Sequence, residues 1–229
     1  MVRNITNIGL PDYHIGANVI NNVEYVTDLG IMVDSNLKFS LHVGNIVRKA
    51  FIRSNLIVKC FQSRDCAMLI RAFKTFVLPL LEYNSCVWSP HLLKDIDLLE
   101  SVQRRFTKRL PGMTFKSYEE RLATLNLHRL EARRMQIDVI TAYKIIFGLT
   151  NVDSSTFFLF NNCTIATRGH QYKLLLPICH CDVRKSCFAS RVVRICSSLP
   201  TVSTDFSSLS NFKMSISNFN FNSLCVCKH

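Results

Sequence analysis

Four basic side chains stand within six consecutive positions of the chain, at Arg104, Arg105, Lys108 and Arg109. Guanidinium and ammonium groups donate charge-assisted hydrogen bonds, and phosphate oxygens are natural acceptors for them. Such contacts set the affinity and register of a nucleic acid without reading its bases. The alternative is a solvated helix end, where cations offset the negative end of the helix dipole and Glu100 pairs with Arg104 one turn away. The residues alone leave both interpretations equally open.

A second basic group, Arg129, Arg133 and Arg134, falls in the first turns of a helix predicted over residues 130–147. Cations at this end of a helix oppose its dipole unless an anion or an acidic neighbour compensates them. This placement is a weak indication of phosphate contact. Arg133 and Arg134 therefore join the candidate nucleic-acid-binding residues.

The net charge of +12 over 229 residues makes a polyanion the expected partner, because a basic surface attracts phosphate backbones and releases their counterions. The longest apolar run, residues 76–81, is far shorter than the ~20 residues that a membrane-spanning helix needs. We expect RNA, DNA or an RNA–DNA duplex as the partner, and no membrane. Residues 1–14 lack the apolar core of a signal peptide, which favours an intracellular location, in the cytoplasm or nucleus.

Ten cysteines raise the question of a metal site. The candidate groups are Cys179-His180-Cys181 with Cys187, and Cys225-Val226-Cys227-Lys228-His229. Structural zinc sites usually pair ligands two to four residues apart, and neither group offers two such pairs. We expect no metal ion and no cofactor in this chain.

The remaining polar residues predict no catalytic site. Asp95 and Asp97 diverge by about 200° on a helix, which favours a role at the helix start over a carboxylate pair. His91 and His128 have no partner at a catalytic spacing. The seven glycines do not occur in the spacing of either glycine-rich motif that binds nucleotide phosphates.

Hydrophobic periodicity predicts a mainly α-helical fold with one early β element, a strand or small hairpin over residues 23–33. Pro79 is expected to kink or end the second helix, and Trp88 to lie in the core. The expected helix starts are a Ser40 cap, Ser63 with Asp65, Asp95, a capping box at Ser117–Glu120, and Leu130.

Several motifs follow one another in a continuous order. They are Asp28-Leu29-Gly30-Ile31, Ser63-Arg64-Asp65, Pro79-Leu80-Leu81-Glu82-Tyr83, Val87-Trp88-Ser89-Pro90, the run from Leu98 to Gly112, Ser117 to Leu122, Thr167-Arg168-Gly169-His170, and Ser198-Leu199-Pro200. In this order they resemble the segment that follows the polymerase palm in reverse transcriptases of non-long-terminal-repeat (LINE-type, Jockey-like) retrotransposons. The resemblance covers roughly residues 23–213.

The resemblance implies a thumb-like helical bundle whose side chains contact the phosphates of a template–primer duplex. The implied nucleic-acid-binding residues are Arg104, Arg105, Lys108, Arg109, Arg133 and Arg134. The implied organisation is an end-of-palm-like β element over residues 1–39, a helical thumb-like domain over 40–148, a small, partly irregular C-terminal region over 149–203 after a change in composition, and a poorly ordered tail over 204–229.

A polymerase of this type needs two or three carboxylates, including the Asp-Asp of its Tyr-x-Asp-Asp loop, to hold two metal ions. This chain contains no Asp-Asp pair, and 27 residues precede Asp28. We expect a fragment of an RNA-directed DNA polymerase that lacks the palm and is not itself an enzyme. Its parent would use Mg²⁺, and its residual role would be duplex binding. The alternative is an inert retroelement remnant or a host-adopted protein-interaction domain.

Overall fold

The computed structural model describes residues 13–20, 23–160, 172, 174–176, 178–200 and 204–226, and over these ranges the chain is mainly helical, as predicted. The described helices are α1 (Ser40–Cys60), α2 (Cys66–Phe76), α3 (Leu78–Glu82), α4 (Ser85–Trp88), α5 (Leu93–Lys108), α6 (Tyr118–Leu125), α7 (Leu130–Ile146), α8 (Asp182–Lys185), α9 (Phe188–Ser198) and α10 (Leu209–Ser217). The described strands are β1 (Tyr13–Ile15), β2 (Asn18–Ile20), β3 (Tyr25–Asp28), β4 (Ile31–Asp34), β5 (Leu159–Phe160) and β6 (Leu174–Leu175), and two short 3-10 helices span Ser154–Thr156 and Phe221–Leu224.

The short strands form three antiparallel hairpins, β1–β2, β3–β4 and β5–β6. The predicted β element at residues 23–33 is confirmed as the β3–β4 hairpin, whose two turn residues, Leu29 and Gly30, both have positive φ, as a tight two-residue hairpin requires. The β1–β2 hairpin was not expected. The backbone N–H of Met32 donates to His42 Nδ1 at 3.3 Å, which fixes β4 to α1.

The first hydrophobic core lies between α1, α2, α3, α5 and α6. Phe73 of α2 and Phe106 of α5 stack at 4.5 Å between ring centroids, at the centre of this core. Trp88 is fully buried, and its indole N–H donates to the carbonyl of Tyr83 at 2.7 Å. The expectation that Trp88 is a core residue is confirmed.

Side-chain caps begin two of the helices around the first core, α2 and α6. The carboxylate of Asp65 accepts from the N–H groups of Ala67 and Met68 and caps α2. Ser117 and Glu120 form the predicted reciprocal capping box of α6. The predicted Ser40 cap is wrong, because Phe39 occupies the cap position and the Ser40 hydroxyl instead donates to Asp95 Oδ2 at 2.6 Å.

Pro79 separates two helices. α2 ends at Phe76, and α3 begins at Leu78 with Pro79 in its first turn, where a missing backbone N–H costs nothing. The expected kink or end of the second helix is therefore an end.

Helix α7 joins the first core to the C-terminal part of the chain. Its Leu130 belongs to the first core, while Val139 and Tyr143 belong to a second core with α9 and α10. A third group of buried residues connects α7 with Phe158 and α9. The change of composition after Gly148 therefore does not separate independent cores.

The segment 204–226 is ordered, contrary to the expected poorly ordered tail. Ser208 caps α10, and the side chains of Phe212 and Ile216 are 2 % and 3 % exposed. Phe212 stacks on Tyr143 at 4.5 Å, and the Tyr143 hydroxyl donates to the carbonyl of Phe206 at 2.9 Å. Burial of these scattered aromatic residues offsets the entropy lost on ordering a segment with few charges.

Candidate nucleic-acid interface

Helices α1 and α5 run parallel and side by side. Three contacts join them: the Ser40 hydroxyl with Asp95, the Phe51 ring with Arg105, and the side-chain amide oxygen of Asn55 with Arg109. Each contact joins residues 54 or 55 positions apart in the chain, so the register is constant along both helices. Because the helices are parallel, the negative ends of both dipoles lie at the same end of the pair.

Three of the predicted binding residues, Arg105, Lys108 and Arg109, are exposed at this end. The Arg105 guanidinium lies 5.6 Å from the centroid of the Phe51 ring, within the range of a cation–π contact. Arg109 donates to the neutral side chain of Asn55 at 2.6 Å. None of the three forms an ion pair with a described carboxylate. Their charges are therefore available to an external anion.

Helices α1 and α2 hold an uncompensated excess of positive charge. From Ser35 to Leu81 the chain has eight lysines and arginines and a single acidic residue, Asp65, whose carboxylate caps α2. All eight basic side chains are exposed, and none pairs with a carboxylate in the described ranges. They are Lys38, Arg48, Lys49, Arg53, Lys59, Arg64, Arg71 and Lys74.

Two of these cations extend the basic end of α5. Arg48 and Lys59 lie seven residues before and four residues after Asn55, and both spacings return to the same face of a helix. Since Asn55 contacts Arg109, this face of α1 adjoins the exposed edge of α5. We call Arg48, Lys59, Arg105, Lys108 and Arg109 together the α1–α5 basic surface.

Arg104 is directed away from this surface, towards α6. Its guanidinium lies 5.3 Å from the centroid of the Tyr118 ring and 3.9 Å from Asp97 Oδ1. The expected pair of Arg104 with Glu100 is not formed, because Glu100 is buried and accepts from the Tyr118 hydroxyl and from the Leu130 N–H. Arg104 is thus only partly available to a ligand.

The assignment of Arg133 and Arg134 to nucleic-acid binding is not supported by their positions. Arg133 donates two hydrogen bonds to the carboxylate of Glu82 on α3. Arg134 is 2 % exposed. Arg133 is half-buried and paired with Glu82, and Arg134 is buried, so in this conformation neither offers an exposed, unpaired cation to a duplex.

The cations at the start of α7 are compensated by acidic residues of other helices. Arg129 pairs with Glu119 of α6 at 2.9 Å, and Arg133 pairs with Glu82 of α3. Burial lowers the pKa of Arg134, whereas the negative charges of Glu100, Glu131, Asp138 and Glu82 raise it in part. The basic start of α7 is therefore compensated from within the fold.

A buried charged network surrounds Arg134. Burial raises the pKa of Glu100, against the opposing effects of the Tyr118 hydroxyl and of Arg134. Burial also raises the pKa of Asp138, which nevertheless accepts from Arg191 of α9 at 3.0 Å. Nε and Nη1 of Arg134 are buried without a hydrogen-bond partner among the described residues. Because each group is shielded from water, this network is structural and holds α7 against α5 and α9.

Sequence reasoning named only one part of the basic surface. Arg48 and Lys59 were not among the predicted binding residues, although the near absence of acidic residues between Ser35 and Leu81 was visible in the sequence. That absence distinguishes a basic surface from the usual mixture of exposed charges.

No group of three or more potential metal ligands comes together in the described part of the chain. Cys227 and His229 of the second candidate zinc group lie outside the described residues. Among the helices that are described, none has the length and hydropathy required to span a bilayer.

The chain is similar to a Caenorhabditis elegans protein called Uncharacterized protein B0403.1, with 28 % identity over 126 residues. The aligned part is 54 % of this chain and 64 % of the relative, so the chain spans less than two thirds of that protein's length. No protein-family model and no solved structure matches the chain.

Proposed function

We propose that this chain binds the phosphate backbone of a nucleic-acid duplex through the α1–α5 basic surface. One observation carries the proposal: the exposed cations of α1, α2 and the end of α5 are not paired with carboxylates of the described fold. An exposed cation that is already paired with a carboxylate of the protein adds little binding free energy when it contacts a phosphate. An unpaired cation that neutralises a phosphate releases a counterion from the nucleic acid, which favours binding.

The spacing of the cations suits a rod-shaped polyanion. Arg48 and Lys59 are eleven residues apart, which on an α-helix is about 16 Å along the axis. Arg105 and Arg109 lie beside Phe51 and Asn55, between those two positions. Contacts spread along a ridge of this length reach several phosphates of one backbone, whereas a small anion would be held by one or two of them.

The motif order in the sequence supports a more specific proposal, that the chain is the thumb-like part of a retrotransposon RNA-directed DNA polymerase without its palm. A thumb holds the template–primer duplex by its backbone, and the α1–α5 basic surface is suited to this role. In this proposal the partner is an RNA–DNA hybrid or another duplex, and Mg²⁺ is bound by the parent's palm and not by this chain.

The direct test is the affinity of the purified chain for a short RNA–DNA hybrid, measured by fluorescence anisotropy over a series of salt concentrations. We expect micromolar affinity at low salt and a steep loss of affinity as salt rises. Binding that is undetectable at low salt would refute the proposal. A primer-extension assay with Mg²⁺ on the same sample tests the second part, since extension by the isolated chain would contradict the absence of a palm.

A second candidate function, protein interaction, is favoured by the N-terminal hairpins. All residues of β1, β2 and β3 are exposed, and Ile15 and Leu29 are 71 % and 78 % exposed. The apolar residues exposed on these two hairpins are candidates for a surface that another protein covers. Within the first proposal that protein is the parent's palm. Duplex binding that survives replacement of Ile15 and Leu29 by lysine would separate the two functions.

A further inference from the structure

Two cysteines of the C-terminal region lie against one buried serine. Ser190 is fully buried in α9, and its hydroxyl oxygen is 3.7 Å from the sulfur of Cys179 and 3.5 Å from the sulfur of Cys187. The two sulfurs are therefore separated by no more than the sum of these distances. The Ser190 hydroxyl donates to the carbonyl of Arg184 at 2.9 Å, which fixes the oxygen that both thiols contact.

The two thiols differ in their surroundings. Cys187 is exposed and occupies the N-cap position of α9, whose eleven residues place a positive dipole end beside it. Cys179 is half-buried and precedes α8. An exposed thiol at a helix N-terminus with a second, partly shielded thiol beside it is the arrangement of an attacking and a resolving cysteine.

Electrostatics favour the thiolate at Cys187. Partial burial alone would raise its pKa, but the nearby N–H groups of Ser190 and Ala189 and the charge of Arg191 lower the pKa below its ordinary value. Three other thiols show the opposite effect, since burial raises the pKa of Cys86 to about 11 and the pKa values of Cys196 and Cys225 to about 12. Cys187 is distinguished from them by its position at the N-terminus of α9.

We propose that Cys187 is an oxidative modification site of this protein, at which a peroxide oxidises the thiolate and Cys179 then closes a disulfide. The juxtaposition of two thiols on the Ser190 hydroxyl carries this proposal, and it is independent of nucleic-acid binding. The reacting partner is hydrogen peroxide or an organic hydroperoxide.

The chemistry balances in two steps. The Cys187 thiolate attacks one oxygen of the peroxide, the O–O bond breaks, and the leaving hydroxide or alkoxide takes a proton, leaving a sulfenic acid on Cys187. The Cys179 thiol then loses its proton and its sulfur attacks Sγ of Cys187, so that an S–S bond forms and the S–O bond breaks. The departing hydroxide takes that proton to form water. Together, the two thiols lose two protons and two electrons, and the peroxide is reduced to two waters, or to an alcohol and one water.

The test uses the full chain treated with hydrogen peroxide, digested with trypsin without reduction and analysed by mass spectrometry. Trypsin separates residues 174–184, which contain Cys179 and Cys181, from residues 186–191, which contain Cys187. We expect these two peptides to be linked by a disulfide. The link should persist in Cys181→Ser and be absent in Cys179→Ser and Cys187→Ser. A link that instead requires Cys181, or the absence of any link, would overturn the proposal.

A second measurement compares thiol reactivity within one folded molecule. Cys60 is exposed like Cys187 but is the last residue of α1, at the negative end of a helix dipole. We expect iodoacetamide to alkylate Cys187 at least several-fold faster than Cys60 at neutral pH, with the difference lost in urea. Equal rates in the folded chain would contradict a reactive thiolate at Cys187.

Discussion

The salt dependence of duplex affinity is the most discriminating measurement on the α1–α5 basic surface. If each of its five cations neutralises one phosphate, the slope of log affinity against log salt is about −4.5. Replacing Arg105, Lys108 and Arg109 by glutamine leaves Arg48 and Lys59 and a slope of about −1.8. Between about 50 and 200 mM salt, affinity should fall about 500-fold for the native chain but only about 12-fold for the triple variant.

The triple variant should remain folded. Lys108 makes no side-chain contact that the described structure records, Arg109 contacts only Asn55, and the cation–π contact of Arg105 with Phe51 contributes about 0.5–1 kcal/mol at an exposed site. Urea denaturation of both proteins checks this. A loss of affinity then reports lost phosphate contacts, because the fold is unchanged.

A matched control removes three charges elsewhere. Arg184, Lys185 and Arg194 are exposed on α8 and α9, and their replacement by glutamine changes the net charge by the same amount. If the control lowers the slope as much as the test variant does, attraction depends on net charge and no localised surface exists. A test variant with an unchanged slope would refute the assignment of these three residues.

Three further predictions concern the fold. Arg134→Met should lower the free energy of unfolding in urea by about 3–5 kcal/mol, because it leaves buried carboxylates unpaired. The control Arg105→Met should change the free energy of unfolding by about 1 kcal/mol or less. A similarly small effect of Arg134→Met would contradict the structural role of Arg134. Phe212→Ala should lower the free energy of unfolding by about 3–5 kcal/mol. Phe115→Ala, at a fully exposed side chain, should leave the free energy of unfolding almost unchanged. Equal effects of the two substitutions would mean that segment 204–226 does not pack against the rest of the protein. Burial raises the pKa of Glu100, so the folded chain keeps a proton on Glu100 at a pH at which the unfolded chain has released it. The free energy of unfolding therefore falls as the pH rises from the pKa of Glu100 in the unfolded chain to its higher pKa in the folded chain. Glu100→Gln should flatten this fall in urea titrations from about pH 4 to 8, and an unchanged pH profile would exclude Glu100 as its source.

Features that depend on neighbours in sequence could be predicted. The Ser117–Glu120 capping box, the Asp65 turn and the stop at Pro79 each depend on residues within one helical turn of one another. Helical periodicity also places Leu98, Leu99, Val102, Phe106 and Leu110 on one stripe, and all of these are buried except Leu98, which is 39 % exposed.

Features set by distant residues could not be predicted. The partner of Arg133 is Glu82, 51 residues earlier in the chain, and the partner of Asp138 is Arg191, 53 residues later. Likewise, Phe212 of α10 packs on Tyr143 of α7, and this contact depends on the position of α7 relative to α10 in the folded chain. A composition poor in charge suggested disorder for the tail, but tertiary burial of its aromatic residues outweighed that local signal.

The two basic groups that were predicted to bind nucleic acid differ in the charge of the helices packed beside them. The end of α5 lies beside α1, which carries no acidic residue, so Arg105 and Arg109 find only the Phe51 ring and the Asn55 amide there and keep their charge for solvent or a ligand. The start of α7 lies beside helices that carry Glu82 and Glu100, so its arginines are neutralised inside the fold. A cation is thus a candidate for phosphate contact only when the elements packed against it supply no carboxylate. By this criterion the exposed cations of α1 and α2, which the predicted binding residues did not include, are candidates for phosphate contact together with those at the end of α5.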